Sequence, residues 1–144
     1  MVDLAQHADP QLLDDPRTAL LVLQAAEFSD DAETLDGLAR SGVTVEVMLK
    51  IARNPATAEH TLEYLIDADQ RGLTYPITRR TDVSEGFIDR IARRLSDRTA
   101  IYQASSAPRA AEATLRYLAD RPDAPVSTAE MVAKRVASLP FPVA

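Results

Sequence analysis

A Leu-x-x-Leu block returns four times along the chain. The pairs Leu35/Leu38, Leu62/Leu65, Ile88/Ile91 and Leu115/Leu118 begin at residues 35, 62, 88 and 115, giving steps of 27, 26 and 27. A period in this range marks stacked supersecondary units, each burying an apolar face that it cannot bury alone. Helix signals surround every block and strand signals are nearly absent. The expectation is therefore an all-α solenoid of about four 26–27-residue helical repeats, each a long helix preceded by a shorter helical piece.

Caps and breakers divide the chain further. Asp14 or Asp15 can cap a first helix with Pro16 in its first turn, and Leu20, Leu21, Val22 and Leu23 then populate its core stripe up to about Phe28. Ser29 or Asp30 opens the next, which stops at Gly42, a residue free to take the left-handed cap conformation. Thr44 caps a third through Met48, Leu49 and Ile51, ended by Pro55. Thr57 caps a fourth, running toward Gly72, and a short turn interrupted by Pro76 follows at residues 75–78. Ser84, Asp97 and Ser127 start later helices, with a further Leu-x-x-Leu helix between Ala110 and Asp120. Pro140 and Pro142 close the chain as an extended tail. One domain over residues 1–144 is expected, with an N-terminal cap at 1–17, repeats at 18–135 and a tail at 136–144.

The run Ala52-Arg53-Asn54-Pro55-Ala56-Thr57, followed by Leu62, Leu65, Asp67 and Asp69, resembles the leucine-rich repeat variant family and, more broadly, HEAT-like helical repeats. Weaker copies are Thr78-Arg79-Arg80 with Ile88 and Ile91, and Ser105-Ser106-Ala107-Pro108 with Leu115, Leu118, Ala119 and Asp120. Only one copy keeps the Asn-Pro pair, and Ala58 stands where the family prefers proline. The resemblance implies a right-handed superhelix alternating α and 3₁₀ helices, with 75–79 and 100–105 as the 3₁₀ segments. Some members carry a cysteine-bound iron–sulfur cluster; this chain has no cysteine, so that feature does not carry over.

The same lack of cysteine removes disulfides, thiolate zinc sites and a cysteine nucleophile. Residues 1–15 carry four aspartates and no Lys or Arg, the wrong charge for a secretory leader, and the longest apolar run, Ala19 to Leu23, is far short of the ~20 residues of a membrane span. A soluble, cytoplasmic protein is expected. Its net charge of −6 is uneven: residues 1–70 hold 4 basic and 14 acidic side chains (4 − 14 = −10), and residues 71–144 hold 12 and 8 (12 − 8 = +4). Such asymmetry can orient a partner, or a second copy docking acidic end to basic end.

Aligning the repeats produces two rungs. Gly37, Tyr64, Arg90 and Tyr117 lie between the leucines of each pair and should face outward. Tyr and Arg together have the composition of a binding hot spot, although each tyrosine could equally pack across its neighbouring repeat. Arg40, Asp67, Arg93 and Asp120 alternate in sign, and the expectation is that they pair between repeats and set register. The densest basic region is Arg79, Arg80, Arg90, Arg93, Arg94 and Arg98, interleaved with Asp82, Glu85, Asp89 and Asp97. It reads as a solvated helix face, or a seat for an acidic protein segment, rather than a nucleic-acid groove, because the chain is acidic overall and has no tryptophan and few aromatics to stack on bases.

Catalytic chemistry is thinly supplied. His7 and His60 lack metal-ligand spacing, His60 with Glu63 is the nearest approach to a general-base pair, and the acidic groups Asp30-Asp31 and Asp67-Ala68-Asp69 lack the rest of a calcium loop. Four glycines make no phosphate-cradling loop. The sequence thus reads as a non-catalytic protein-binding module without metal or cofactor. Its contact residues are expected to be Tyr64, Arg90, Tyr117, Arg79, Arg80 and Arg94. The alternative is a nucleic-acid-binding repeat using the basic second half. The tail Ser138 to Val143 is expected either to cap the last repeat or to serve as a short ligand for another protein.

Overall fold

A computed structural model describes residues 15–139, among which every regular element is an α-helix and no strand occurs. The helices are α1 (Pro16–Phe28), α2 (Ala32–Arg40), α3 (Val45–Arg53), α4 (Glu59–Ala68), α5 (Gln70–Thr78), α6 (Glu85–Arg94), α7 (Arg98–Ala104), α8 (Glu112–Asp120) and α9 (Val126–Ala137). Among the described residues no helix is long and apolar enough to cross a membrane. The chain clusters into two compact units that meet in sequence at Ile77 and Thr78.

In the first unit α1 packs on α3 and α2 on α4, so two helical hairpins stack with like helices in contact. In the second, α6 packs on α8 and α7 on α9. All eight residues of the Leu-x-x-Leu blocks are at most 1% exposed, which is why the blocks keep time along the sequence. The helices that carry them begin at residues 32, 59, 85 and 112, in steps of 27, 26 and 27.

Short polar side chains start most helices by accepting a hydrogen bond from an otherwise orphaned backbone N–H. Asp15 accepts from Arg17 N (2.9 Å), Asp31 from Glu33 N (3.1 Å), Thr44 from Val47 N (3.4 Å), Ser84 from Phe87 N (3.0 Å) and Asp97 from Ala100 N (3.0 Å). The cap of α2 is thus Asp31 rather than Ser29 or Asp30; the Ser29 hydroxyl instead accepts from Asp31 N. Thr57 does not cap α4. Its hydroxyl turns back and donates to the Ile51 carbonyl at 2.7 Å, and the cap position falls to Ala58. Helix α9 likewise starts after Pro125, one residue before Ser127 could act as its cap. Gly42 has φ +79°, the left-handed turn that ends the first hairpin's second helix.

Two expectations about the minor helices are corrected. Residues 75–78 are the end of a nine-residue α-helix, α5, rather than an isolated turn or a 3₁₀ piece. Asp69 starts it by accepting from Gly72 N at 3.0 Å, and a Cβ on Gly72 would sit 2.5 Å from the Asp69 carboxylate, so glycine is what lets the cap close. Pro76 removes only the one N–H that would have bonded to the Gly72 carbonyl. Helix α7 is also α-helical, with Ile101 N donating to Asp97 O at 3.0 Å. In α1, Val22 and Ala26 form the buried stripe, while Leu20 and Leu21 are 55% and 53% exposed. A helix this short buries one stripe, and the 100° step per residue carries those two leucines off it.

Helix C-termini are tied down by side chains from one hairpin further along. The Asn54 amide donates to the carbonyls of Ala26 (3.0 Å), Glu27 (3.2 Å) and Ser29 (2.9 Å) at the end of α1, and its oxygen accepts from Ala56 N (2.9 Å). In the second unit Arg121 donates to Ala92 O at the end of α6 (2.9 Å), and Arg135 to Ser105 O (2.9 Å) and Ala107 O (2.7 Å) after α7. These donors satisfy carbonyls that a helix leaves without an internal partner. The asparagine of the Asn54-Pro55 turn, or an arginine at a similar sequence distance, therefore acts as a C-cap supplied from the next hairpin.

Candidate functional site

The two tyrosines between the leucines, Tyr64 and Tyr117, take part in one arrangement that occurs once in each unit. In the first, α2 presents Asp36 and Arg40 one turn apart, and Arg40 Nε lies 3.0 Å from Asp36 Oδ2. From α4, Thr61 donates its hydroxyl to Asp36 Oδ1 at 2.6 Å, and the Tyr64 ring lies 4.5 Å below the Arg40 guanidinium carbon. In the second unit α6 and α8 repeat this side chain for side chain. Arg93 Nε is 2.9 Å from Asp89 Oδ2, Thr114 donates to Asp89 Oδ1 at 2.7 Å, and Arg93 lies 4.5 Å above the Tyr117 ring.

Each clamp joins two neighbouring hairpins through a carboxylate, a buried threonine hydroxyl and a stacked guanidinium. Burial pushes the Asp36 carboxyl up, but the Thr61 hydroxyl and Arg40 outweigh it and leave the group below the usual carboxylate range. At Asp89 the Thr114 hydroxyl, then Arg93, lower it directly. The first clamp has one extra member, His60, whose Nε2 is 3.4 Å from Asp36 Oδ1; the matching position in the second unit is Ala113.

Half of each predicted rung meets in the clamps, Tyr64 and Tyr117 of the contact rung with Arg40 and Arg93 of the register rung. Tyr64 and Tyr117 are half-buried, with a ring face given to an arginine from the preceding hairpin. The ion pairs made by Arg40 and Arg93 to Asp36 and Asp89 run along their own helices. Tyr117 also lines a shallow open cleft of ≈ 520 Å³ with Asp120, Arg121, Pro122 and Asp123, where Arg121 stands 5.9 Å from its ring.

The six expected contact residues fall into different environments. Arg79, Arg90 and Arg94 are exposed, the last two one turn apart on α6. The side chain of Arg80 is only 10% exposed and forks onto Asp82, Nε to Oδ1 at 2.9 Å and Nη2 to Oδ2 at 2.7 Å. Arg121 and Asp123 make the same two-bond fork at 2.8 and 2.7 Å. Both arginines hold their aspartates below the usual carboxylate range. Among the described residues no three His, Cys, Asp or Glu side chains could hold a metal ion. His7 and residues 140–144 of the tail lie outside the described residues.

The duplication has a sequence signal that the 27-residue ruler divides in half. Leu35-Asp36-Gly37-Leu38-Ala39-Arg40 matches Ile88-Asp89-Arg90-Ile91-Ala92-Arg93, and Thr61-Leu62-Glu63-Tyr64-Leu65 matches Thr114-Leu115-Arg116-Tyr117-Leu118. All four clamp residues recur after the same interval, 89 − 36 = 93 − 40 = 114 − 61 = 117 − 64 = 53. The true sequence period of the polar residues is two hairpins. Compared with known proteins, the chain matches no family model, no curated protein and no solved structure.

Proposed function

We propose that this protein is a non-catalytic, cytoplasmic helical-repeat module that binds an acidic segment of a partner protein across α6 and α8. The observation that carries the reading is Arg93 of α6, a helix that also exposes Arg90 and Arg94, lying over the ring of Tyr117, which lines the cleft beside α8 with Arg121, Asp120 and Asp123. Guanidinium groups fork onto carboxylates, and a half-buried tyrosine offers contact area with few rotors to freeze. The second unit carries the matching field: its described residues, 78–139, hold 11 basic and 8 acidic side chains (11 − 8 = +3).

The reading takes the hairpins as units of a right-handed α-solenoid of the leucine-rich repeat variant type, supported by the 27, 26 and 27 steps of the block-bearing helices and by the Asn54-Pro55 turn. The test is fluorescence anisotropy with a labelled Glu-rich peptide. Binding should weaken at least about tenfold in the Arg90→Glu, Arg94→Glu double variant, a change of ~1.4 kcal/mol. Failure of the wild-type chain to bind any acidic peptide, with tight binding of single-stranded DNA that collapses as salt rises, would move the assignment to a nucleic-acid-binding repeat.

A further inference from the structure

The two ends of the described chain carry apolar features that, among the described residues, no element of their own unit covers. On α1, Leu20, Gln24 and Phe28 recur every four residues and form one ridge with Leu21 beside it; Leu20 and Leu21 are exposed as given above and Phe28 is 75% exposed. Between α8 and α9 runs a groove of ≈ 400 Å³ lined by small and apolar side chains, Ala129, Val132, Ala133, Val136 and Ala137 on α9 with Ala119 on α8, and flanked on α8 by Arg116 and Asp120. Alanines one turn apart let another helix approach to the short end of the 8–10 Å range.

We propose that copies of this chain associate head to tail, the α1 ridge of one copy seating in the α8–α9 groove of the next. Three observations select a second copy as the occupant. Ridge and groove are complementary in kind, large side chains against small ones. The units that bear them have opposite charge: described residues 15–77 hold 5 basic and 11 acidic side chains (5 − 11 = −6), against +3 for residues 78–139. The contact also repeats one the fold already uses, since α1 packs on α3 and α7 on α9 within their own units, so an α1 arriving on α9 continues the same alternation. Ridge and groove are different surfaces, so the contact is heterologous and gives chains or rings rather than a closed two-fold dimer. The proposal is independent of the partner site on α6.

Sedimentation equilibrium of the full chain decides it. The wild type is expected to grow beyond twice its 15.7 kDa as concentration rises, and to shrink toward single chains in high salt. Leu20→Glu removes the ridge and Ala133→Arg fills the groove; each variant alone should stay monomeric. Mixed together they should form a one-to-one dimer and stop there, because each retains one intact face and the pair has a single matched contact. Both positions are at the surface, and Leu21→Glu and Ala129→Arg replace either variant that loses its helical circular dichroism. A wild type that is monomeric at all concentrations, a single variant that still dimerises with itself, or a mixture that stays monomeric would each overturn the proposal.

Discussion

Asn54 offers the sharpest test of how neighbouring hairpins are held. It is 4% exposed, its two amide hydrogens are shared among three carbonyls of the α1 terminus at 2.9–3.2 Å, and its oxygen accepts from Ala56 N. Replacing it with alanine leaves those carbonyls and one N–H without partners. At ~1 kcal/mol for each interaction lost, discounted where water reaches the rim, the cost should be about 2–3 kcal/mol. Asn54→Asp keeps the shape and reverses the sense, turning a donor into an acceptor that faces carbonyl oxygens with a buried negative charge. That variant should be at least ~1 kcal/mol worse than alanine at neutral pH. Its carboxyl would have a folded pKa above the unfolded value of ~3.9, so the extra penalty is complete above the folded pKa and disappears as pH falls toward 4. Urea unfolding at pH 7 and pH 5 measures the gap, and amide exchange in α1 and α3 locates it in the first unit. An alanine variant within ~0.5 kcal/mol of wild type, or an aspartate variant equal to alanine at both pH values, would refute the reasoning.

Two further outcomes follow from the second unit. Asp89 has its folded pKa lowered by Thr114 and Arg93, so its contribution is present above the ordinary carboxylate range and is lost as pH falls through that range to the lowered value. Asp89→Asn should therefore flatten the acid loss of stability between about pH 5 and pH 3 in the second unit while leaving the Asp36 clamp of the first unit unchanged; an unaltered acid slope in α6 and α8 amide exchange would contradict this. Among the described residues the buried Thr128 hydroxyl has no hydrogen-bond partner, so Thr128→Val should be neutral or stabilising by up to ~1 kcal/mol in thermal unfolding, and a loss above that would reveal a partner for the hydroxyl.

The sequence makes the block-bearing helices legible because two apolar residues per repeat must be buried, and period survives substitutions of Leu by Ile. The companion helices are harder to read for local reasons. Gly72 and Pro76 look like breakers, yet α5 forms because Asp69 needs the space glycine leaves and Pro76 forfeits only one hydrogen bond. Thr57 has the residue type of a cap but spends its hydroxyl on Ile51, a choice set by the turn at Asn54-Pro55 rather than by its neighbours in sequence. Leu20 and Leu21 read as core because hydropathy alone does not say which stripe of α1 meets α3. At the site, residue types pointed to Tyr64 and Tyr117, but their arginine partners come from a different helix, 24 residues earlier in sequence (64 − 40 = 117 − 93 = 24). That pairing becomes visible only when polar residues are compared at 53 residues instead of 27.

The clamps also set how such a chain can change length. Excising residues 59–111, a stretch of 53, would leave Asp36 and Arg40 on α2 followed by Thr114 and Tyr117 on α8, a complete hybrid clamp. Excising residues 85–111, a stretch of 27, would instead put α8 after α4, where Glu63 and Asp67 occupy the places of the aspartate and the arginine. Thr114 would keep an acceptor, but Tyr117 would meet a carboxylate where it now meets a guanidinium. Either excision keeps the Leu-x-x-Leu beat of the sequence, whereas only the 53-residue one keeps the set of clamp residues. In sequence terms the unit that carries a complete clamp is thus 53 residues, two hairpins long.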